Sequence, residues 1–427
     1  MDDLYHNPTS DESLALMKGW IDDCQRRHEL CMKMPHQEVG GPKRLLECLS
    51  DGSVRLVEMP SRTPRCDYIA LSYCWGDGTA VMKTTQGTTD LHHQRIPDES
   101  LPPLYREVVA LARGFNAYLW IDSLCIIQDS EEDKETEMMQ MNDIFRGALV
   151  VVVAAWATSP LDSLLRLKPQ SDQSHTWRTA SLISDLKMDL DFRFRKRPRT
   201  AHWYYDATTR SPIARRAWCF QEKLLARRCL VFREDEVVWE CQSCCLCACS
   251  GKQEPDEPFQ LDGTVRYFAD AEAAYSFWKT AVGNYSGRAL TLKTDRLPAI
   301  SAVASIVAEA TGDRYLAGLW RGDLLAGLAW RGGNREPEHD PRPHWKYIAP
   351  TWSWASIPTQ VRFPKNRHRE ISDFKLQASV LDAWTVLEGQ NPYGPVSDAA
   401  IVLSGFHCDA ELTIPKGAER GPGSGSL

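Results

Sequence analysis

The strongest constraint on the fold is an alternation of apolar and amphipathic segments between residues 68 and 157. The apolar segments read YIALSYCW, AYLWID and ALVVVVAA. The segments between them have apolar residues at helical spacing; they read LYREVVALARGF and EEDKETEMMQMNDIFRG. Strands that are apolar throughout and alternate with helices are typical of a parallel sheet covered on both faces. We therefore predict an α/β fold, with a parallel sheet core flanked by helices.

The rest of the chain divides around this α/β unit. A helical segment from about Ser13 to Lys33 precedes KRLLECL and VRLVEM, whose alternation across Asp-Gly predicts a hairpin. The closing GAERGPGSGSL is too polar and glycine-rich to order itself. We predict an N-terminal helix and hairpin (1–65), the α/β unit (66–232), a cysteine-rich segment with a mixed α+β region packed on the core (233–412) and a flexible tail (413–427).

Composition limits the partners and the compartment. The net charge of -7 disfavours nucleic acid and acidic membranes as general partners. The longest apolar run, ALVVVVAAWA, is about half the length of a membrane-spanning helix, so it predicts a buried strand. The opening MDDLYHNPTS lacks the apolar region of a secretory signal. We expect a cytoplasmic protein without a membrane span, whose 14 cysteines are mostly free thiols or metal ligands.

Polar residues follow two of the predicted strands. Asp122 and Ser123 end YLWID, and Trp75 and Gly76 end the first strand. Ligands of parallel sheets bind beyond the carboxyl ends of the strands, so these residues converge on one site if the two strands are neighbours. The alternative is that Asp122 and Ser123 only cap the following segment.

Two acids lie on the inward face of the second predicted helix. At about 100° per residue, Met141, Ile144 and Ala148 fall on the same side as Glu137. Asp133, one turn earlier, shares that side. An unpaired buried charge is costly, so these carboxylates need a partner or a cavity. They are candidates for a negatively charged cleft or a general base.

Two segments carry residues suited to a metal. Cys24, His28 and Cys31 recur at i, i+4 and i+7, on one face of the predicted helix. The segment WECQSCCLCACSG resembles a zinc knuckle in its spacing. The two segments could share one structural zinc site or build two; the alternatives are small buried thiols and a redox pair of Cys244 and Cys245. The predicted metal ligands are Cys24, His28, Cys31, Cys241, Cys244, Cys247 and Cys249.

Three segments resemble the fungal heterokaryon incompatibility (HET) domain. They are YIALSYCWG, the stretch from LPPLYREVVALARGF to ALVVVVAAWA, and RRAWCFQEKLLARRCLVF. The resemblance is ordered and runs from about Tyr68 to Phe232. Flanking segments such as WIDDCQRRHELC and APTWSWAS are also similar to those of full-length HET proteins.

The resemblance implies a fungal protein of self/non-self recognition and programmed cell death. HET domains are considered similar to TIR domains, whose flavodoxin-like fold can cleave NAD at the nicotinamide–ribose bond with a helix-borne glutamate. The resemblance makes Glu137 the counterpart of that glutamate, with Asp122 as the second catalytic candidate, and NAD the expected substrate or ligand. Such an enzyme would be an NAD nucleosidase, and its ribosyl centre would be stabilised as in glycosidases.

Further residues are expected to bind the nucleotide. Trp75 could stack on a ring, Asp122 could bind a ribose hydroxyl, and Arg216 could bind a phosphate. A surface ion pair between Arg216 and Glu222 is the alternative. The predicted ligand-binding residues are Trp75, Gly76, Ser123, Asp133 and Arg216.

This chain departs from the family at two positions. Lys134 and Phe145 stand where the family usually carries Trp and Tyr, and Lys134 could pair with Glu137 and suppress its activity. Two other functions therefore stay open. The first is a non-catalytic signalling module that associates with itself or with other incompatibility proteins. The second is a HET scaffold recruited as an enzyme of fungal specialised metabolism.

Overall fold

The computed structural model describes ten ranges of the chain. They are residues 8–32, 41–60, 66–164, 175–179, 190–194, 211–233, 237–247, 268–333, 347–364 and 378–406. Cys249 and the predicted tail at 413–427 lie outside these ranges.

Helices and strands alternate through most of the described residues. The helices are α1 (Asp11–Arg27), α2 (Glu29–Met32), α3 (Thr89–Gln94), α4 (Pro103–Phe115), α5 (Asp122–Cys125), α6 (Glu131–Met139), α7 (Met141–Gly147), α8 (Trp218–Leu225), α9 (Ala271–Tyr285), α10 (Ser301–Thr311) and α11 (Leu324–Gly327). The strands are β1 (Arg44–Cys48), β2 (Val54–Glu58), β3 (Tyr68–Ser72), β4 (Tyr118–Trp120), β5 (Val150–Ala154), β6 (His175–Thr179), β7 (Leu190–Phe194), β8 (Arg228–Phe232), β9 (Val237–Cys241), β10 (Cys245–Cys247), β11 (Tyr315–Leu316), β12 (Leu319–Trp320), β13 (Arg331–Gly332), β14 (Val361–Arg362), β15 (Ala378–Leu387) and β16 (Val396–Gly405).

The central element is an eight-stranded sheet with the order β10-β9-β8-β5-β3-β4-β1-β2. Its four middle strands, β8, β5, β3 and β4, are parallel, and an antiparallel extension lies on each side. The prediction of an α/β fold with a parallel core is confirmed. Strands β1 and β2 on one side, and β9 and β10 on the other, continue the sheet past the predicted divisions at 65/66 and 232/233.

The order of the parallel strands indicates where a ligand of this sheet would bind. From β3 the chain crosses to β4 on one side and then returns past β3 to β5 on the other. This is the start of the flavodoxin-like order, in which ligands bind where the strand order reverses, beyond the carboxyl ends. The equivalent place here lies between the loops that follow β3 and β5.

Gly76 lets these two loops approach each other closely. Its φ is +66°, and a Cβ added there would lie 3.0 Å from the Cβ of Ser159, in the loop after β5. An L side chain would meet both backbone strain and a steric conflict at this position. The predicted site residue Gly76 therefore has a structural reason to be glycine.

The buried apolar side chains of the described ranges form two clusters. One surrounds the large sheet, and its centre is β5, the apolar run whose five residues are all buried. The other lies among α9, α10 and the short strands that follow. Helix α8 belongs to both, since Leu225 packs in the first cluster and Phe220 in the second. Among the described residues, no helix combines the length and the apolar character that a membrane span requires.

Two predicted helices are each interrupted. The helix expected near 13–33 is divided at His28, whose backbone is extended with φ -96° and ψ 90°. The helix expected over 131–147 is divided at Gln140, with φ -93° and ψ 0°. Hydrophobic spacing continues across both breaks, which is why the sequence pattern does not show them.

Candidate functional site at the carboxyl edge of the sheet

The structure brings the ends of β3 and β4 together through Trp75 and Asp122. The indole Nε1 of Trp75 donates a hydrogen bond of 2.9 Å to Oδ2 of Asp122. The backbone N–H of Ser123 donates to Oδ1 of the same carboxylate at 2.6 Å. Asp122 therefore both stabilises the start of α5 and joins two strand ends. Trp75 and Asp122 each keep part of their surface exposed to solvent.

Three buried hydroxyl groups lie in the same cluster. The hydroxyls of Tyr73 and Tyr105 share a hydrogen bond of 2.6 Å, and those of Tyr105 and Ser123 share one of 2.9 Å. The two tyrosine rings meet edge to face, with centroids 5.5 Å apart. Burial and the negative charge of Asp122 raise the pKa of both tyrosines, so both are neutral donors.

A second carboxyl group, Glu222, lies on the same side of the sheet. It is carried by α8, is 7% exposed, and accepts a hydrogen bond from Oγ of Ser72 at the end of β3. Burial, followed by the charge of Asp122, raises the pKa of Glu222 to about 7. This group can therefore exchange a proton near neutral pH.

Arg216 supplies positive charge to the cluster. It lies just before α8, is partly exposed, and its charge favours ionisation of both Asp122 and Glu222. Burial outweighs this effect at Asp122 and raises its pKa. Because Glu222 is buried, the alternative of a surface ion pair between Arg216 and Glu222 does not describe this arrangement. The exposed Lys83 adds a second cation, with Nζ 5.3 Å from the centre of the Trp75 ring.

We call Trp75, Asp122, Arg216 and Glu222 the strand-end cluster. It combines a partly exposed indole, a guanidinium group and two carboxyl groups whose pKa values are raised by burial. Aromatic rings stack on nucleobases, and guanidinium groups bind phosphates. Paired acids with shifted pKa values are typical of proton-transfer sites.

Glu137 is held in a different environment. Its side chain is fully buried, and Oε1 accepts a hydrogen bond of 3.4 Å from the backbone N–H of Lys43. Among the described residues, Oε2 of Glu137 has no hydrogen-bond partner. Burial raises its pKa to about 7, against the favourable charge of Arg44. Lys134 does not pair with Glu137 as predicted; its Nζ lies 2.9 Å from Oε1 of Glu131.

Asp133 joins α6 to β1. It accepts hydrogen bonds from the buried guanidinium of Arg44, from the backbone of Ile127 at 2.8 Å and from Nζ of Lys43 at 3.0 Å. Burial alone would raise the pKa of Asp133, but these donors lower it. Arg44 also donates to the carbonyl of Cys125 at 2.7 Å. Asp133 is thus occupied by structural contacts, and the residues acting on it differ from those acting on Asp122.

Four of the seven predicted metal ligands come together elsewhere. The ligand atoms of Cys24, His28, Cys31 and Cys241 all lie within 4.8 Å of one another. Cys244 lies beside this group, with its Sγ 3.6 Å from that of Cys241. Cys247, on β10, is not a member of the group.

Part of the chain is similar to proteins of known family. Residues 68–222 match the family model described as heterokaryon incompatibility protein (HET). Residues 68–222 form a HET domain. A curated relative, heterokaryon incompatibility protein 6, OR allele, from Neurospora crassa, is 32% identical over 128 residues. That match spans 28% of this chain and 18% of the relative, and no solved structure matches the chain significantly.

The HET domain contains the whole strand-end cluster. Trp75, Asp122, Arg216 and Glu222 all lie within residues 68–222. The four clustered metal-ligand candidates all lie outside this range. The similarity of the HET domain to TIR domains stays a prediction, which the strand order supports.

The sequence prediction did not include Glu222 among the site residues. A signal for it exists, because Glu222 lies three residues after Cys219 and three before Leu225, both buried on α8. Glu137 on α6 shows the same pattern of an acid on an apolar helix face. Tyr73 and Tyr105 carry no comparable signal, since buried tyrosines next to strands and in helices are common core residues.

Proposed function

We propose that this protein acts in fungal self/non-self recognition, and that its HET domain binds and hydrolyses an NAD-like dinucleotide at the strand-end cluster. The family match and the name of the Neurospora relative support the biological role. One observation carries the biochemical role: two carboxyl groups with raised pKa values, a guanidinium and a partly exposed indole meet where the strand order reverses.

The parts of a dinucleotide suit the parts of the cluster. The Trp75 ring offers a stacking surface for a base or for nicotinamide. Asp122, whose Oδ2 already accepts the Trp75 indole hydrogen, can also accept a ribose hydroxyl. Arg216 and the exposed Lys83 provide positive charge for the phosphates.

The reaction we propose is hydrolysis of the nicotinamide–ribose bond. The bond from ribose C1′ to the pyridinium nitrogen breaks, and nicotinamide leaves as a neutral base with the bonding electron pair. Water adds to C1′, giving ADP-ribose and one proton. Ionised Asp122 stabilises the positive ribosyl centre, and Glu222, with a pKa of about 7, accepts the proton of the attacking water.

In this reaction the catalytic residues are Asp122 and Glu222, and Glu137 has no catalytic role. Glu137 has no exposed surface and contacts the backbone of Lys43, outside the HET domain. Asp133, predicted to bind the nucleotide, is held by Arg44 and Lys43 instead. We assign both residues to positioning α6 against β1.

Nicotinamide release from NAD by the purified full-length protein tests the reaction. Asp122→Asn and Glu222→Gln are expected to lower the rate about 100-fold or more. Glu137→Gln is the matched control, because it also removes a buried acid with a pKa near 7. Absence of turnover in the wild type refutes hydrolysis, and loss of turnover in Glu137→Gln alone returns the catalytic role to Glu137.

Binding is tested separately by calorimetry with NAD and with ADP-ribose. Arg216→Ala is expected to weaken binding about tenfold or more, since it removes a charge-assisted phosphate contact. Arg215→Ala is the control, because this neighbouring arginine is exposed. Equal affinities in the two variants would contradict a phosphate site at Arg216.

A second candidate function is self-association without catalysis. The β15–β16 hairpin favours it, since Leu381, Val402 and Leu403 are 62%, 46% and 45% exposed. Val402 and Leu403 are consecutive in β16, so apolar side chains are exposed on both faces of this hairpin and are available for protein contacts. Light scattering with and without NAD separates the functions: assembly without nicotinamide release supports the module, and a monomer at all concentrations opposes it.

A further inference from the structure

We infer that Cys24, His28, Cys31 and Cys241 hold one structural zinc ion, which attaches the N-terminal helices to the edge of the sheet. Their ligand atoms lie within 4.8 Å of one another. Three thiolates and one imidazole are a common ligand set of structural zinc sites. This site is separate from the strand-end cluster and does not depend on the proposed function.

The distances are close to those of a tetrahedral site. Zinc lies about 2.3 Å from sulfur and about 2.0 Å from nitrogen, which separates two ligands by roughly 3.5–3.8 Å around a tetrahedron. Nδ1 of His28 lies 3.3 Å from Sγ of Cys241, and no pair in the group exceeds 4.8 Å. Small side-chain rotations therefore bring all four atoms to zinc.

The break between α1 and α2 makes the convergence possible. Cys24 and Cys31 would be separated by about 10.5 Å along a continuous helix, too far for ligands of one ion. At His28 the backbone is extended, and the N–H groups of Cys31 and Met32 both donate to its carbonyl, at 2.9 and 3.1 Å. The chain therefore turns at one ligand, His28, and brings the other two together.

The surroundings of the sulfur atoms suit thiolates. The backbone N–H groups of Ser243 and Cys244 donate to Sγ of Cys241 at 3.5 and 3.3 Å. Nε of Arg228 donates to Sγ of Cys24 at 3.3 Å. Three thiolates and Zn²⁺ carry a net charge of -1, which the guanidinium of Arg228 balances. Such contacts orient and stabilise the ligands of a metal.

The geometry assigns a structural rather than a catalytic role to the ion. Four protein ligands leave no coordination position for water or substrate. Cys24, Cys31 and Cys241 are 0%, 1% and 3% exposed, so the ion is enclosed. A sulfur-rich tetrahedral site favours zinc over magnesium or calcium.

The ion would join two parts of the chain that are distant in sequence. Cys24 lies in the last turn of α1, and Cys241 ends β9, the second strand from one edge of the sheet. Beside the metal, α1 touches β9 through Trp20 and Trp239, whose ring centres are 6.4 Å apart. Metal loss is expected to loosen α1 while leaving the HET domain folded.

The experiment measures zinc in full-length protein purified without added metal. We expect about one equivalent per chain by mass spectrometry of the elements, released by a strong chelator. Cobalt substitution is expected to give the visible bands of tetrahedral cobalt and thiolate charge-transfer absorption. Less than about half an equivalent of zinc, or a disulfide mapped by peptide mass spectrometry between two of Cys24, Cys31 and Cys241, would overturn the inference.

Variants identify the ligands. Cys31→Ser and His28→Ala are expected to bind zinc at least about tenfold more weakly. Cys244→Ser tests the fifth nearby donor and is expected to retain the metal, and Cys48→Ser controls for removal of a distant thiol. If a ligand variant does not fold, the cobalt spectrum of the wild type still reports ligand type and geometry. This ligand set would be contradicted if Cys31→Ser kept full zinc affinity. It would also be contradicted if Cys244→Ser lost zinc while His28→Ala retained it.

Discussion

The indole of Trp75 and the carboxylate of Asp122 are joined by a hydrogen bond of 2.9 Å across the ends of β3 and β4. These strands are parallel neighbours, so the residues that follow them lie at the same edge of the sheet. The bond orients an aromatic ring beside a partly exposed acid and lowers the pKa of that acid, against the larger effect of burial.

Trp75→Phe removes this hydrogen bond and keeps an aromatic ring. Without the donor, the pKa of Asp122 is expected to rise further, because one contact that stabilises its ionised form is lost. The acid limb of the pH profile of nicotinamide release should then move to higher pH. Trp330→Phe is the control, since its indole donates to the carbonyl of Trp352, outside the HET domain. An unmoved profile in Trp75→Phe would exclude Asp122 as the group that titrates.

Glu222 is expected to make stability depend on pH. Its folded-state pKa of about 7 lies above the ordinary value of 4.5, so the folded protein holds this proton more tightly than the unfolded chain does. The stabilisation from the protonated form is complete below about pH 4.5 and is lost as the pH rises through about 7. In Glu222→Gln this loss is absent, so the stability of the variant relative to the wild type should grow by roughly 2–3 kcal/mol from pH 5 to pH 8.

Urea denaturation at several pH values measures that difference. Ser72 can still donate to the amide oxygen of glutamine, so the variant keeps the contact. Asp51→Asn is a useful control, because Asp51 is exposed and its pKa is lowered from 3.8, so this substitution should leave the pH dependence of stability between pH 5 and pH 8 unchanged. Parallel stability curves for the wild type and Glu222→Gln would show that Glu222 is not the group responsible.

Asp133→Asn is expected to destabilise the protein by roughly 3–5 kcal/mol, because the guanidinium of Arg44, 1% exposed, loses its buried counter-charge. Lys134→Ala breaks the neighbouring pair with Glu131, which is 91% exposed, and should change stability by less than about 0.5 kcal/mol. Denaturant unfolding of both variants tests this contrast. Similar losses of unfolding free energy in the two variants would mean that the ion pair of Arg44 and Asp133 does not hold α6 in place.

Gly76→Ala and Gly78→Ala separate backbone strain from crowding. Both glycines have positive φ, +66° and +82°, so each alanine should cost roughly 1–2 kcal/mol. Only Gly76 has a close neighbour, Ser159, while a Cβ at Gly78 meets open space. We expect thermal denaturation to show a loss for Gly76→Ala that is larger by about 1 kcal/mol or more. Equal losses would indicate that the loops after β3 and β5 separate easily.

The contrast between Glu137 and Glu222 shows how far a helical pattern can predict a site. Spacing on α6 correctly places Glu137 on an inward face, because the face of a helix is a local property of the sequence. Spacing does not tell which neighbour that face meets. In the structure it meets Lys43 and Arg44 of the N-terminal hairpin, while Glu222 on α8 meets Ser72 at the end of β3.

The metal-ligand candidates show the same limit. The spacing in two segments predicts seven metal ligands. For Cys24, His28 and Cys31 the prediction assumes one continuous helix. The break at His28 and the position of β9 select four of them, and both depend on contacts between segments that are distant in the chain.

The sequence by itself determined the alternation of strands and helices, the parallel core and the presence of polar residues at the ends of β3 and β4. These follow from apolar periodicity and from the connection rules of α/β folds, which act between neighbouring elements. The tertiary structure alone decided that Glu222 joins Asp122, that Glu137 faces β1, and that Cys241 meets Cys24, His28 and Cys31. The physical reason is that each of these meetings depends on how distant elements pack, and packing is a property of the whole chain.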